Sequence, residues 1–207
     1  QMFYKLNNNP PQKINFKNLN ASNSQKFIID GDLKSEINIP IFNYNSKNKI
    51  LNIKTEFETK KNSINFEKLS LVEGKNKIYI ENLLLKNNKL LKFKKITVKT
   101  FNEGKINNDF KASIGKTIKI KGLKYDATNL TKLLEKNDDN FLKNINKEIS
   151  INIKEISTNV SDKISNFNLI GNIEKGKFNK IVSKGEFVDG KYLDISLRVD
   201  KNTNKKI

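Results

Sequence analysis

The sequence predicts a mainly β protein built from successive antiparallel hairpins. Apolar and polar residues alternate along most of the chain, as strands with one buried face require. Short turn sequences rich in Asn, Gly and Lys separate the alternating stretches, and connections this short make neighbouring strands antiparallel. One stretch, Lys121 to Leu134, changes to helical spacing. We therefore expect a long, curved antiparallel sheet with one short α-helix near 126–136.

The clearest strand is predicted at 50–57. Leu51, Ile53, Thr55 and Phe57 share one face, and polar residues occupy the other. Further alternating stretches lie at 14–19, 27–29, 64–71, 78–85, 91–98, 118–120, 149–153, 167–169 and 193–199.

Three successive stretches change phase by one residue near their middles. The changes fall between 66 and 69, between 80 and 83, and between 93 and 96. An extra residue in a strand is typical of a β-bulge. We therefore predict aligned bulges, or a shared bend, across these three strands.

The helix is predicted from its first residue and its apolar stripe. Asp126 is placed to accept hydrogen bonds from the free N–H groups of a first turn. Leu130, Leu133 and Leu134 fall at i, i+3 and i+4, on one side of a helix. The polar stretch 136–140 ends the pattern.

The chain of 207 residues is predicted to hold one domain. We expect a connector at 1–12, a single antiparallel domain at 13–200 with the helix inserted, and a tail or linker at 201–207. Because the first residue is Gln1, we expect a piece of a longer polypeptide. No stretch has the ~18–20 apolar residues of a membrane helix, and no signal peptide is visible, so an anchor or export signal is expected outside this piece.

The net charge is +18, from 40 Lys and Arg against 22 Asp and Glu. Such an excess is typical of proteins with an anionic partner, either nucleic acid or a lipid surface. Biased composition also produces it, because Lys, Asn and Ile crowd the chain. Arg198 is the only Arg, whereas nucleic-acid binders usually use Arg for bidentate contacts. We favour biased composition and expect no nucleic-acid partner.

No constellation of catalytic residues is found. The chain has no Cys and no His, which removes disulfides, thiolates, imidazole bases and the commonest zinc ligands. Gly115-Lys116-Thr117 lacks the upstream Gly of a phosphate loop, because Phe110 stands there. Asp138-Asp139 could bind a cation, although a solubilising loop is the simpler interpretation. We expect no enzyme activity, no metal and no cofactor.

A one-faced apolar sheet must cover that face. Packing on a second sheet gives an ordinary filled core, which periodicity alone favours. The functional alternative is a groove for lipid tails, where each buried CH₂ contributes about 0.8 kcal/mol.

A degenerate motif bears on this choice. The pattern Gly-x-x-Tyr/Phe-Asp-Ala-x-x-Leu occurs at 122–130, followed by Leu133-Leu134, an alternating strand at 149–153 and hairpin sequences at 166–187 and 190–200. In these features the segment from Gly115 to Asp200 resembles the AsmA-like proteins of Gram-negative bacteria, which include TamB and the YhdP-type proteins. The extreme Lys, Asn and Ile content departs from typical members.

The resemblance implies a repeating β-groove fold, in which a long sheet curls into an apolar groove. It implies transport of phospholipid from the inner to the outer membrane and a part in outer-membrane assembly. The location would be the periplasm, within a protein anchored in the inner membrane, and the partners would be phospholipids and both membranes, reached through flanking segments. No catalytic residues come with the resemblance.

From the alternation we predict which side chains line the groove, and we expect lysines on the opposite face to meet water or lipid head groups. The predicted helix would cover part of the apolar face through its leucines. The predicted groove residues are Leu51, Ile53, Phe57, Ile78, Ile80, Ile118, Ile120, Ile151, Ile153, Leu193, Ile195 and Leu197.

Two alternatives remain open. One is a basic β-domain that binds nucleic acid or an anionic glycan, and the other is a purely structural β-domain of an envelope protein. Phe57, Phe66 and Phe93 share the apolar faces instead of standing among exposed lysines, which argues against the first alternative.

Overall fold

The computed structural model describes residues 2–4, 12–21, 24–34, 36–46, 50–87, 89–130, 145–159, 163–175 and 177–199. Within these ranges the chain forms β-strands and one 3-10 helix, so the predicted mainly β fold is confirmed. The chain divides into two compact units, 1–40 with 44–106 and 41–43 with 107–207. The single domain expected at 13–200 stays a prediction.

The described strands of the first unit all pair antiparallel, in the order β1-β2-β3-β6-β7-β8-β10, with β9 also beside β8. β4 and β5 form a separate pair around the 3-10 helix Pro40–Phe42. The strands are β1 Met2–Tyr4, β2 Gln12–Ala21, β3 Ser24–Lys34, β4 Asn38–Ile39, β5 Tyr44–Asn45, β6 Ile50–Lys60, β7 Ser63–Glu73, β8 Asn76–Lys86, β9 Lys89–Lys92 and β10 Lys95–Asn102.

The second unit has the strand order β11-β12-β13-β14-β15-β16. The strands are β11 Lys105–Ile114, β12 Thr117–Asp126, β13 Lys147–Ser157, β14 Ile164–Glu174, β15 Lys177–Phe187 and β16 Tyr192–Arg198. β12 and β13 pair in parallel, so the prediction of a purely antiparallel sheet is wrong. The connection 127–146 is long enough to return the chain to the same end, as a parallel pair requires.

The predicted helix at 126–136 is not confirmed. Asp126 is the last residue of β12 and residues 127–129 form no helix, so a helix does not begin at Asp126. Leu130, the last described residue before a gap in the described ranges, has helical geometry. Asp126 nevertheless accepts hydrogen bonds from the backbone N–H and the hydroxyl of Thr128, at 3.2 and 2.6 Å. Its side chain therefore does what a capping residue does, but at the end of a strand. Leu133 and Leu134 lie outside the described residues.

The aligned bulges predicted in the first unit are confirmed. The pairing of β7 with β6 shifts by one residue between Glu56 and Phe57, which makes Glu67 an extra residue. Between β7 and β8, Phe66 pairs with Leu83 and Lys68 pairs with Glu81, so Glu67 and Asn82 are left out of the register at the same level. Asn82 has a φ of 50°. The break between β9 and β10 falls at 93–94. The irregularities stand at one level, so they turn the three strands together.

The second unit repeats this device. The pairing of β12 with β11 shifts at Leu123, and the pairing of β14 with β15 shifts between Ser165 and Asn168. In β13 the buried residues Ile153 and Ile156 are three positions apart instead of an even number, which is the same one-residue change of phase. Each bulge keeps the apolar side chains before and after it on one face.

Candidate functional site

One continuous apolar face covers the sheet of the first unit. Ile53 of β6 pairs with Leu71 of β7, which pairs with Ile78 of β8, which pairs with Val98 of β10. Because side chains alternate along strands, the residues two positions away from each of these lie on the same side. We call this surface the first apolar face.

Four phenylalanines form a row across β2, β3, β6 and β7 on the first apolar face. The ring centres of Phe16 and Phe27 are 5.6 Å apart, those of Phe27 and Phe57 are 5.1 Å apart, and those of Phe57 and Phe66 are 5.2 Å apart. All four side chains are only half-buried. We call this row the phenylalanine ladder.

The opposite end of the first apolar face is closed by the segment around β5. The Tyr44 hydroxyl donates to the Glu73 carboxylate at 3.2 Å, and the Asn76 amide donates to the same oxygen at 2.7 Å. Asn76 also accepts the backbone N–H of Phe101 at 2.7 Å. Burial and the neighbouring Glu73 charge raise the pKa of Tyr44, so its hydroxyl stays a donor.

Exposure differs between the two ends of the first apolar face. Leu51, Ile78 and Val98, near the Tyr44 end, are 1%, 2% and 0% exposed. The phenylalanine ladder and the leucines beside it, Leu83 and Leu85, remain partly exposed. One end is therefore protein core, and the other offers accessible apolar surface.

The apolar face of the second unit is more completely filled. Ile118, Ile149 and Ile173 form a buried cluster, against which Ile145 and Leu169 pack. Ile118 and Ile149 face each other directly across the parallel pair β12–β13. These side chains fill a core around β12 and β13, whereas Ile195 on β16 of the same face is 46% exposed.

A polar cluster binds residues 41–43 to the second unit. The Asn43 amide donates to the Asp126 carboxylate at 2.8 Å, and the buried Asn108 amide donates to the Phe42 carbonyl at 2.6 Å. Tyr125 donates to the Ile41 carbonyl at 3.1 Å. Asp126 is therefore satisfied by donors from this chain, and the cluster positions a segment.

The structure divides the predicted groove residues by exposure. Leu51, Ile78, Ile118 and Ile153 are buried by the chain itself, and Ile195 is 46% exposed near the end of the second unit's strand order. The remaining predicted residues are partly exposed, namely Ile53, Phe57, Ile80, Ile120, Ile151, Leu193 and Leu197. Leu130, predicted to cover the face from a helix, is half-buried and has helical geometry directly after the turn that follows β12.

Sequence reasoning missed most of the phenylalanine ladder and all of the Tyr44 closure. The one-residue phase change carried the signal for Phe66, because a bulge at Glu67 returns it to the face of Phe57. Nothing in the alternation pointed to Tyr44, which lies in a two-residue strand outside the main sheet.

No protein family, curated protein or solved structure matches the chain. In the described part of the chain, no helix has the length and apolar character to cross a membrane. The same residues contain no group of three or more Asp or Glu that could hold a metal ion.

Proposed function

We propose that the open part of the first apolar face binds the acyl chains of phospholipids. The observation that carries the proposal is the phenylalanine ladder, four aromatic rings in contact on a partly exposed sheet face. Exposed apolar surface of this extent is typical of a binding groove or an interaction site.

The chemistry of the face favours an apolar ligand. Thr55 is the polar residue between Ile53 and Phe57, and its hydroxyl donates to the Lys68 carbonyl at 3.1 Å. Because the Thr55 hydroxyl already donates within the sheet, the face presents mainly aromatic rings and methyl groups to a ligand. An acyl chain that lies along the ladder would gain about 0.8 kcal/mol for each CH₂ it buries.

We further propose that the chain is a segment of an AsmA-like protein in the periplasm. The motif at 122–130 supports this assignment, and aligned bulges are the device by which a sheet bends into a groove. In this proposal the groove carries phospholipid from the inner to the outer membrane and serves outer-membrane assembly, and segments outside this chain contact the membranes.

The test is native mass spectrometry of the purified chain, with extraction of bound lipid. Phe57→Ser combined with Phe66→Ser removes the half of the ladder that lies on β6 and β7. The matched control is Ile28→Ser combined with Leu84→Ser, which removes two partly exposed apolar side chains from the opposite face of the same sheet. We expect phospholipid on the wild type and on the control, and loss from the ladder variant.

Each other outcome counts against the proposal. A folded wild-type chain without lipid, even after incubation with phospholipid vesicles, would leave a purely structural β-domain. Equal lipid retention by the ladder variant would place the ligand elsewhere. Salt-dependent binding to DNA without lipid would favour the basic β-domain.

A further inference from the structure

Ion pairs join neighbouring strands on the polar face of the first unit. Lys26 lies 2.5 Å from the Glu56 carboxylate and 3.4 Å from that of Glu67. Lys54 lies 3.2 Å from Asp30 across β3 and β6. The hydrogen bond from Lys26 lowers the pKa of Glu56, as expected for a carboxylate beside an ammonium.

The second unit also has ion pairs, such as that between Lys124 and Glu155 at 2.6 Å, but three neighbouring lysines lie outside them. Lys111 of β11 and Lys121 of β12 stand directly opposite each other, and Lys119 is the next outward residue on β12. All three are exposed, and none has an ion pair among the described residues. Like charges directly across two strands are destabilising. The arrangement holds an uncompensated positive charge at one place.

The same outward face exposes aliphatic side chains. Lys119 pairs with Ser150 of β13, which pairs with Ile170 of β14, which pairs with Val182 of β15. Ile170 is 69% exposed and Val182 is 36% exposed. With strands about 4.8 Å apart, Ile170 lies about 10 Å from Lys119 along this row. Leu123, the residue added by the bulge in β12, is 60% exposed beside them.

We propose that this outward face of the second unit docks on an anionic lipid bilayer. Lysines bind lipid phosphates as point charges, and exposed aliphatic side chains insert between head groups. A single-stranded nucleic acid would instead be held by aromatic rings that stack on its bases, and the residues beside these lysines are aliphatic. The proposal uses the face opposite the unit's filled core and does not rest on the acyl-chain proposal.

The experiment is co-sedimentation of the whole chain with two kinds of vesicle. One contains phosphatidylcholine with phosphatidylglycerol, and the other contains phosphatidylcholine alone. We expect binding to the anionic vesicles that weakens as salt is added. Changing Lys111, Lys119 and Lys121 together to Gln should lower the affinity about tenfold or more, since each lysine near such a surface contributes appreciably.

The matched control changes Lys13, Lys17 and Lys77 to Gln, which removes the same charge from exposed strand positions of the first unit. We expect this control to keep most of the affinity, and Ile170→Ser to lower it at constant charge. Equal losses in both lysine variants would show a response to net charge alone and overturn the docking face. Tighter binding to duplex DNA than to anionic vesicles would also overturn it. Loss of vesicle binding in the variant with Phe57→Ser and Phe66→Ser would also overturn the docking face, because that variant leaves this face intact.

Discussion

Two single-residue deletions in β7 test the assignment of Glu67 as the extra residue of the bulge. Glu67 lies between Phe66 and Leu69, and the bulge lets both lie on one face. Without Glu67 these two residues are two positions apart, so a regular strand also keeps them on one face. Deletion of Ser70, outside the bulge, instead puts Leu71 next to Leu69. Because side chains alternate with a period of two, the two halves of β7 are then in opposite phase, and the apolar residues of one half turn to the polar face.

The cost can be worked out from burial. Full burial of a Leu side chain contributes about 1.5–3 kcal/mol, and Leu71 is half-buried, so its exposure should cost about 1 kcal/mol. The same turn breaks the buried hydrogen bond between Tyr44 and Glu73, which should cost about another 1 kcal/mol. The Ser70 deletion should therefore lower the free energy of unfolding by about 2 kcal/mol. For a chain of this length, this corresponds to a fall in melting temperature of about 4–8 °C.

The control is the Glu67 deletion, which keeps the apolar residues of β7 on their face and removes an exposed ion pair with Lys26, a kind of contact that adds little to stability. We expect it to be more stable than the Ser70 deletion. Urea unfolding followed by circular dichroism measures both variants. Equal losses in the two deletion variants would refute the role assigned to the bulge.

Three further predictions concern the second unit. Gly122→Ala should lower the free energy of unfolding by about 1–3 kcal/mol, because the added Cβ would clash with the neighbouring backbone. Gly115→Ala, whose Cβ would face open space, should be nearly neutral or slightly stabilising, and thermal unfolding of the two variants decides. Burial raises the pKa of Tyr125 from its ordinary value of 10.0 to about 12. The stability that Tyr125 contributes should therefore be complete below pH 10.0 and be lost as the pH rises through about 12. Denaturant unfolding at these pH values should show a smaller alkaline loss of stability in Tyr125→Phe than in the wild type, and an equal loss would contradict the assignment. Asn108→Ala should cost about 2–3 kcal/mol in urea unfolding, because it leaves the buried N–H of Asp126 without its acceptor, and a neutral result would show that water replaces it.

The sequence predicted the local pattern well because strands with one apolar face alternate visibly. The strand around Leu51 and the bulge beside Glu67 both followed from spacing alone. The helix start predicted at Asp126 was wrong for a physical reason, because Asp126 ends β12. The hydrogen-bonding side chain that marks a helix start also ends a strand in a turn, and the two uses look alike in sequence.

The sequence by itself determined which residues face the same way on each strand, because alternation is a property of neighbours along the chain. Only the tertiary structure decided which parts of those faces are free. Tyr44 and Glu73 close one end of the first apolar face, while Phe27 and Phe57 remain accessible, although all lie in or beside equally apolar strands. The parallel pairing of β12 with β13 was likewise visible only in the structure, because alternation does not reveal strand direction. Burial depends on contacts between residues far apart in sequence, and alternation carries no information about them.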